Sequence, residues 1–444
     1  MHPQYVTSER GGGGEPTPRT HAISDPRGDD TEKMDVTSWL LFIAVLTNQA
    51  GRVLVPAIKT SVIADPTLGP SFKEVVGAQL ATVSLVCLAG KLIGAAVTDK
   101  LGGWLVLISV FVFWIAATFG TIMSNSVDVF GYAWFLNSFA YTITWGAVIQ
   151  VIGSVYEKPE DKASQLAFAS SASRFGATIG NVVFGQLLTF GLSWRQVCMP
   201  MIPVQALLLA LCLYKWASTK PAAAPKKKDE KAADPPPSAL SAFLSLDFWL
   251  MLIPKSLTFT YTQFFMNYIP QLLNVSYGFD HGTAATLGGV AQGGSIIGLL
   301  VVGNMFYKTL PAASKPTVIF VLLLVSTLAS YALSLGPAVL PTAAVVPLTV
   351  VWGLAYVLPF YLPPGEYAMA VGGKSGTALF TNIFDASGFT VSAMWNPWAS
   401  AIAKTGDFQQ VLLSQAAFGA IAMVTMPLCM YRLNQKAEAA KKKK

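Results

Sequence analysis

Charge is what this chain has least of. Only 12% of its 444 residues are Asp, Glu, Lys or Arg, against 53% hydrophobic, where a soluble globular chain carries about 25% charged residues. So little charge cannot clothe two or three soluble domains, and that reading is excluded. Histidine is scarcer still: His2 and His21 lie in the N-terminal tail and His281 at the outer end of an apolar run. A histidine proton relay in mid-membrane is therefore not expected. The four cysteines, Cys87, Cys198, Cys212 and Cys429, sit in apolar runs without CxxC or Cys/His spacing, which suggests small buried hydrophobes rather than a zinc site or disulfide framework. No P-loop, Rossmann fingerprint, nucleophile motif or metal-ligand spacing occurs, so neither enzymatic activity nor a cofactor is expected. No apolar stretch precedes Trp39, so no cleavable signal peptide is expected, and residues 1–37 read as a disordered tail.

Long apolar runs are what the sequence has instead. Mean hydropathy is +0.51, and at about 20 apolar residues per span the length accommodates twelve transmembrane helices with short loops. Apolar runs near 38–58, 75–98, 104–123, 129–155, 163–190 and 196–216 form a first set. A second set lies near 247–274, 282–306, 317–335, 342–369, 376–402 and 407–431. The expected fold is an all-α membrane protein of two six-helix bundles, 38–216 and 247–432, joined by a charged, Pro-rich linker at 217–246 and ending in a basic tail at 433–444. Of the 30 Lys and Arg, only Lys59, Lys73, Arg195 and Lys404 fall in loops on one side; Arg52, Lys91, Arg174 and Lys255 lie inside spans, and all the rest lie on the other side. That asymmetry places both termini in the cytoplasm, and it accounts for the +7 net charge without a nucleic-acid partner. Whether the membrane is the plasma membrane or an internal one stays open.

The two halves echo each other. Gly90-Lys91-Leu92-Ile93-Gly94 in span 2 matches Gly294-Ser295-Ile296-Ile297-Gly298 in span 8, as parallel repeats related across the membrane normal require; small residues also allow close helix contact. The loop after span 2 reads Ala95-Ala96-Val97-Thr98-Asp99-Lys100-Leu101-Gly102-Gly103. It resembles the G-x-x-x-D-R-x-G-R-R signature of the major facilitator superfamily, matching in kind at Asp99, Lys100 and Gly102. Within that superfamily the chain is most similar to the organophosphate:phosphate antiporters. The likeness is carried by Leu136-Asn137, Trp145-Gly146, Ser173-Arg174-Phe175-Gly176, Tyr268-Ile269-Pro270-Gln271-Leu272-Leu273 and Asp385-Ala386-Ser387-Gly388-Phe389. It implies alternating access and gating roles for Asp99 and Lys100. Thr262 and Ser173 stand about where glycerol-phosphate members carry a basic residue and a histidine, so a phosphorylated cargo does not follow directly.

An ionisable group inside a span costs about 2.5–3.5 kcal/mol on the most lenient scale, so each is a functional candidate. Arg52, in Asn48-Gln49-Ala50-Gly51-Arg52, is too deep to snorkel and suits a carboxylate or phosphate. Arg174 lies among Ser170, Ser171 and Ser173, on either a wet face or a packing face. Lys255 and Lys91 are nearer the cytoplasmic ends, where snorkelling to the interface competes with a cavity role. Asp385 is the one deep carboxylate, a proton carrier or the counter-ion of Lys255, while Glu366 and Lys374 read as an inner-gate charge pair. Deep cations thus outnumber deep anions, a wasteful arrangement unless an anion fills the cavity. Tyr141, Trp145, Tyr268 and Asn382 complete the expected substrate site; the aromatics equally suit packing. The expected activity is anion transport by a monomer in the lipid bilayer, with organophosphate or phosphate antiport first. Proton- or sodium-coupled symport of a carboxylate is the alternative, and a non-transporting receptor or scaffold the reading from another class.

Overall fold

The computed structural model describes residues 35–156, 159–218 and 243–442. Most of the N-terminal tail and the 217–246 linker lie outside the described residues. Among those described, the chain is nearly all helix: α1 Val36–Ala64, α2 Gly69–Leu101, α3 Gly103–Met123, α4 Val127–Val155, α5 Pro159–Thr189, α6 Trp194–Cys198 and α7 Met201–Ser218. The second half holds α8 Leu246–Asn267, α9 Ile269–Tyr277, α10 His281–Ile297, α11 Lys315–Ser334, α12 Thr342–Ala403 and α13 Gln409–Lys442. Nine described helices are long and apolar enough to cross a membrane. The expected spans 5, 7 and 11 are not among the nine, because polar side chains break their apolar runs. The basic tail expected from 433 continues the last helix to Lys442.

Local chemistry sets the helix ends. Asp35 caps α1 by accepting from Ser38 N at 2.7 Å, Ser126 caps α4, and Ser193 with Gln196 forms a capping box on α6, each satisfying amides the helix leaves unpaired. Between α8 and α9 the helix breaks at Tyr268 (φ −119°, ψ −25°), with Pro270 in the first turn of α9, where its missing N–H does no harm. Gly278 then closes α9 at φ 72°, the left-handed region that glycine enters at least cost. A stretch of π-helix, Gly298–Phe306, follows α10. The 62 residues of α12 would extend about 93 Å if straight. They do not: the Tyr367 and Phe384 ring centroids are 5.7 Å apart and Thr377 Oγ1 donates to Ala368 O. α12 therefore folds back on itself as the two spans expected there.

The start of α1 and the end of α13 lie at the end of the bundle away from the core that joins the halves, here called the inner end. Three apolar cores divide the molecule. One, at the outer end, joins residues of both halves, such as Val53, Phe72 and Trp134 with Phe264, Trp352 and Trp395. Towards the inner end the halves separate into a core of the first half around Leu41, Phe111 and Trp114 and a core of the second around Phe248, Leu323 and Phe384. Joined at the outer end and split at the other, the bundle opens toward its inner end.

The repeated glycines make close crossings. A Cβ on Gly90 would sit 2.0 Å from Thr142 Oγ1 and one on Gly94 2.7 Å from Ile143, both on α4. In the second half, Cβ atoms on Gly294 and Gly298 would meet Val350 O at 2.2 Å and Leu354 O at 2.4 Å, on the first arm of α12. The second span of each half thus lies against the fourth at matching glycines, where packing rather than hydrophobicity holds helices together in lipid.

Candidate functional site

A cavity of about 420 Å³ lies between the halves and takes side chains from both. α1 contributes Asn48 and Gln49, α4 Tyr141 and Trp145, α5 Ser173 and Arg174, α8 Lys255, and the two arms of α12 Tyr361 and Asp385. Lys91 of α2 also lines it. It therefore does not snorkel to the interface: its Nζ lies 3.4 Å from Asp385 Oδ2. Lys255 does not snorkel either. It is 4% exposed, with Nζ 3.7 Å from Asp385 Oδ1, 3.2 Å from Phe360 O and 3.3 Å from the Phe360 ring centroid. Asp385 is thus shared between a lysine of one half and a lysine of the other.

The two arginines of the site, Arg52 and Arg174, rest on aromatic rings, and among the described residues neither pairs with a carboxylate. Arg52 donates to the Tyr141 hydroxyl at 2.7 Å, with its guanidinium carbon 4.2 Å from that ring's centroid. Arg174 crosses between the halves to donate to the Tyr361 hydroxyl, 4.7 Å from that ring. Arg52 and Arg174 together line a chamber of about 50 Å³ with Gln49, Thr262 and Gln292, which shares Tyr141, Arg174 and Tyr361 as lining with the main cavity. Ring faces attract a cation without cancelling its charge. Among the described residues the two chambers therefore hold Lys91, Arg174, Lys255 and Arg52 against the single carboxylate Asp385, and both guanidinium forks have planar donors to spare.

The other expected site residues lie elsewhere. Tyr268 is fully buried at the α8–α9 break, with its hydroxyl 2.8 Å from Ser400 Oγ and donating to Asn396 O at 3.1 Å; it lies in the outer seal, away from the cavity. Asn382 is exposed while Thr381 and Asp385, one turn apart, face the cavity; a neighbour along a helix is rotated by about 100° and misses that face. Glu366 binds Lys315 at 2.9 Å and accepts from the Tyr307 hydroxyl at 3.3 Å. Both contacts lie within the second half, because the fold brings the start of α11 beside Glu366. The Lys374 side chain lies outside the described residues. Asp99 and Lys100 are exposed at the end of α2, and among the described residues neither has a contact reaching the second half.

Sequence reasoning also missed residues. Tyr361 and Phe360, which carry two of the cation–aromatic contacts, bear no charge to mark them within span 10; the adjacent Pro363-Pro364 pair was the available signal. Lys59, counted among the outer loops, is inside α1 and 1% exposed.

Residues 40–393 match the family model of the Major Facilitator Superfamily. The chain belongs to that superfamily. No curated protein matches the sequence. The fold of this facilitator is shared with a bacterial homolog of the human lysosomal transporter Spinster in its inward-facing, unoccupied conformation, at 15% identity and TM-score 0.63, covering 90% of this chain and 97% of that one. It is shared with the nucleoside transporter NupG (14%, TM-score 0.67, 89% and 99% covered). A D-xylose-proton symporter is similar too (12%, TM-score 0.65, 88% and 96% covered). The superfamily is one of transporters rather than enzymes, and this member is a multi-pass membrane protein.

The outer end of the facilitator is closed by contacts between its halves. Asn396 Nδ2 donates to Ser84 Oγ at 3.3 Å, Lys404 pairs with Glu74 at 3.1 Å, and Lys59 Nζ donates to Asn267 O. Glycines make the same seam tight: a Cβ on Gly185 would sit 2.4 Å from Thr286 Oγ1, and one on Gly282 2.3 Å from Thr189 Oγ1. The site is therefore reached from the inner end.

Proposed function

We propose that this chain is a secondary transporter that moves a small anion by alternating access, with exchange of phosphate or an organophosphate as the leading case. The reading rests on one observation: among the described residues, four cations and a single carboxylate line the chambers between the halves. An uncompensated cation in a low-dielectric site is costly, and an anion entering from the inner, cytoplasmic face relieves that cost. The arginine pair supplies planar forks for a phosphate or carboxylate, while Tyr141, Trp145 and Phe360 offer an apolar wall for an organic body. Asp385 acts as the counter-ion of both lysines. An anion competing for Lys91 and Lys255 loosens one cross-half ion pair, and an anion taking Arg174 from Tyr361 loosens the other cross-half contact. Binding then biases the equilibrium between the two facing states, as any ligand with differential affinity does.

Counterflow in proteoliposomes tests this. Uptake of labelled phosphate, glycerol 3-phosphate or a C4 dicarboxylate is measured with and without anion on the far side. Uptake that needs trans anion and survives a protonophore supports exchange. Uptake that collapses with the protonophore replaces exchange by proton-coupled symport, and absence of flux for every anion overturns the transport of anions.

A further inference from the structure

One buried cation lies outside the cavity. Lys59 is 1% exposed, and its contacts are the backbone carbonyl of Asn267 and the face of Tyr268, 4.7 Å from the ring centroid; among the described residues no carboxylate pairs with it. A fully buried ammonium held only by a carbonyl and a ring is expensive to keep. It also lies at a boundary between two spaces. On its inner side, Asn267 and Arg52 line a small chamber under Tyr141. On its outer side lies a vestibule of about 170 Å³, lined by Thr60, Lys73, Gln271, Asn274, His281 and Lys404. Tyr268, beneath Lys59, bonds Ser400, which lines the same vestibule. Thr60 is 3% exposed, and its Oγ1 there has no hydrogen-bond partner, although a buried hydroxyl ordinarily has one.

We infer that Lys59 and Thr60 form a second anion-binding station, used when the transporter faces outward. It rests on the anion reading proposed above and adds a place to it. Arg52 and Lys59 are seven residues apart on α1, two turns along one face, so they set two cations in a line from the inner chamber toward the vestibule that Thr60 lines. In the state described here the α8–α9 break offers the Asn267 carbonyl to Lys59, and that contact plugs the line. When the outer ends part, the ammonium leaves the carbonyl and faces the vestibule with Thr60. An anion arriving there meets a charge and a free hydroxyl before it reaches Arg52.

Half-saturation concentrations for phosphate, glycerol 3-phosphate and succinate, measured separately at each face of oriented vesicles, test the station. Lys59→Gln keeps a donor for the Asn267 carbonyl, so closure is preserved while the charge is lost. The expected result is roughly tenfold weaker apparent affinity at the outer face, about 1.4 kcal/mol, with the inner face unchanged and Lys59→Arg restoring the outer value. If Lys59 were only a lock, its loss would populate the outward-facing state, tightening the outer face and weakening the inner one, and that outcome overturns the station. Unchanged outer affinity overturns it as well, while an Arg52→Ala loss at the inner face leaves the anion reading standing. Wild-type protein that moves no anion from either face overturns both.

Discussion

Arg52→Ala is the sharpest perturbation of the central site. In the empty protein the Arg52 side chain gives up one hydrogen bond and one ring contact, both to Tyr141, worth about 1 kcal/mol and about 0.5–1 kcal/mol. Removing a desolvated cation offsets part of that, so the apo protein changes little. The bound protein changes more, because a hydrogen bond to a charged partner contributes about 1.5–3 kcal/mol. Taking about 2 kcal/mol, the dissociation constant rises roughly thirtyfold. Ligand present at 100 times the wild-type constant stabilises the wild type by about 2.7 kcal/mol and the variant by about 0.9 kcal/mol. A thermal-shift titration of purified protein reads that difference, provided the ligand-induced increment is compared and not the absolute melting temperature. Arg52→Lys falls between the two, since lysine keeps the charge but lacks the planar fork. An alanine variant with the full increment for every stabilising anion would falsify the placing of Arg52 in the site.

Three further outcomes follow from the geometry. Asp385→Asn leaves Lys91 and Lys255 without their shared carboxylate. Thermal denaturation in detergent should show roughly 2 kcal/mol lost, below the about 3–5 kcal/mol of a fully buried pair because Asp385 is partly wet, and Lys255→Gln in the same chain should recover part of it; no loss refutes the counter-ion role. Gly294→Val places a side chain where a Cβ already meets Val350 O at 2.2 Å, with an expected cost of about 1–3 kcal/mol, whereas Gly153→Ala, with open space around it, should cost nothing. Asp65 lies in the loop between α1 and α2. Partial burial alone would raise its pKa, but hydrogen bonds from Thr67, Trp194 and Leu68 outweigh that and hold the carboxyl well below its usual range. A depressed folded pKa stabilises above the unfolded value of about 3.9 and stops doing so as pH falls through it toward the folded value. Asp65→Asn should therefore flatten the acid side of the stability–pH curve and leave neutral pH lowest relative to wild type.

The membrane fold was written in composition and order. Scarce charge and apolar runs of span length leave the backbone no partner but itself, so helices follow, and the lopsided lysine count needed no structure to be seen. The deep cations were legible for the same reason: Arg52, Arg174 and Lys255 interrupt apolar runs and stand out one by one. What no single run carries is which side chains share a space. Lys91 stood between an interface and a cavity role and lies on Asp385 because α2 and α12 cross there; Tyr268 was expected on substrate and is built into the outer seal; Tyr361 carries no charge to mark it and holds Arg174. Lys59 is the plainest case. The expected span ended at residue 58, just before it, and only the continuation of α1 to Ala64, packed against the break at Tyr268, buried that ammonium. Hydropathy is a property of each segment and can be summed along the chain, whereas the position of one charge relative to another depends on how distant segments cross, and that is decided only when the helices pack.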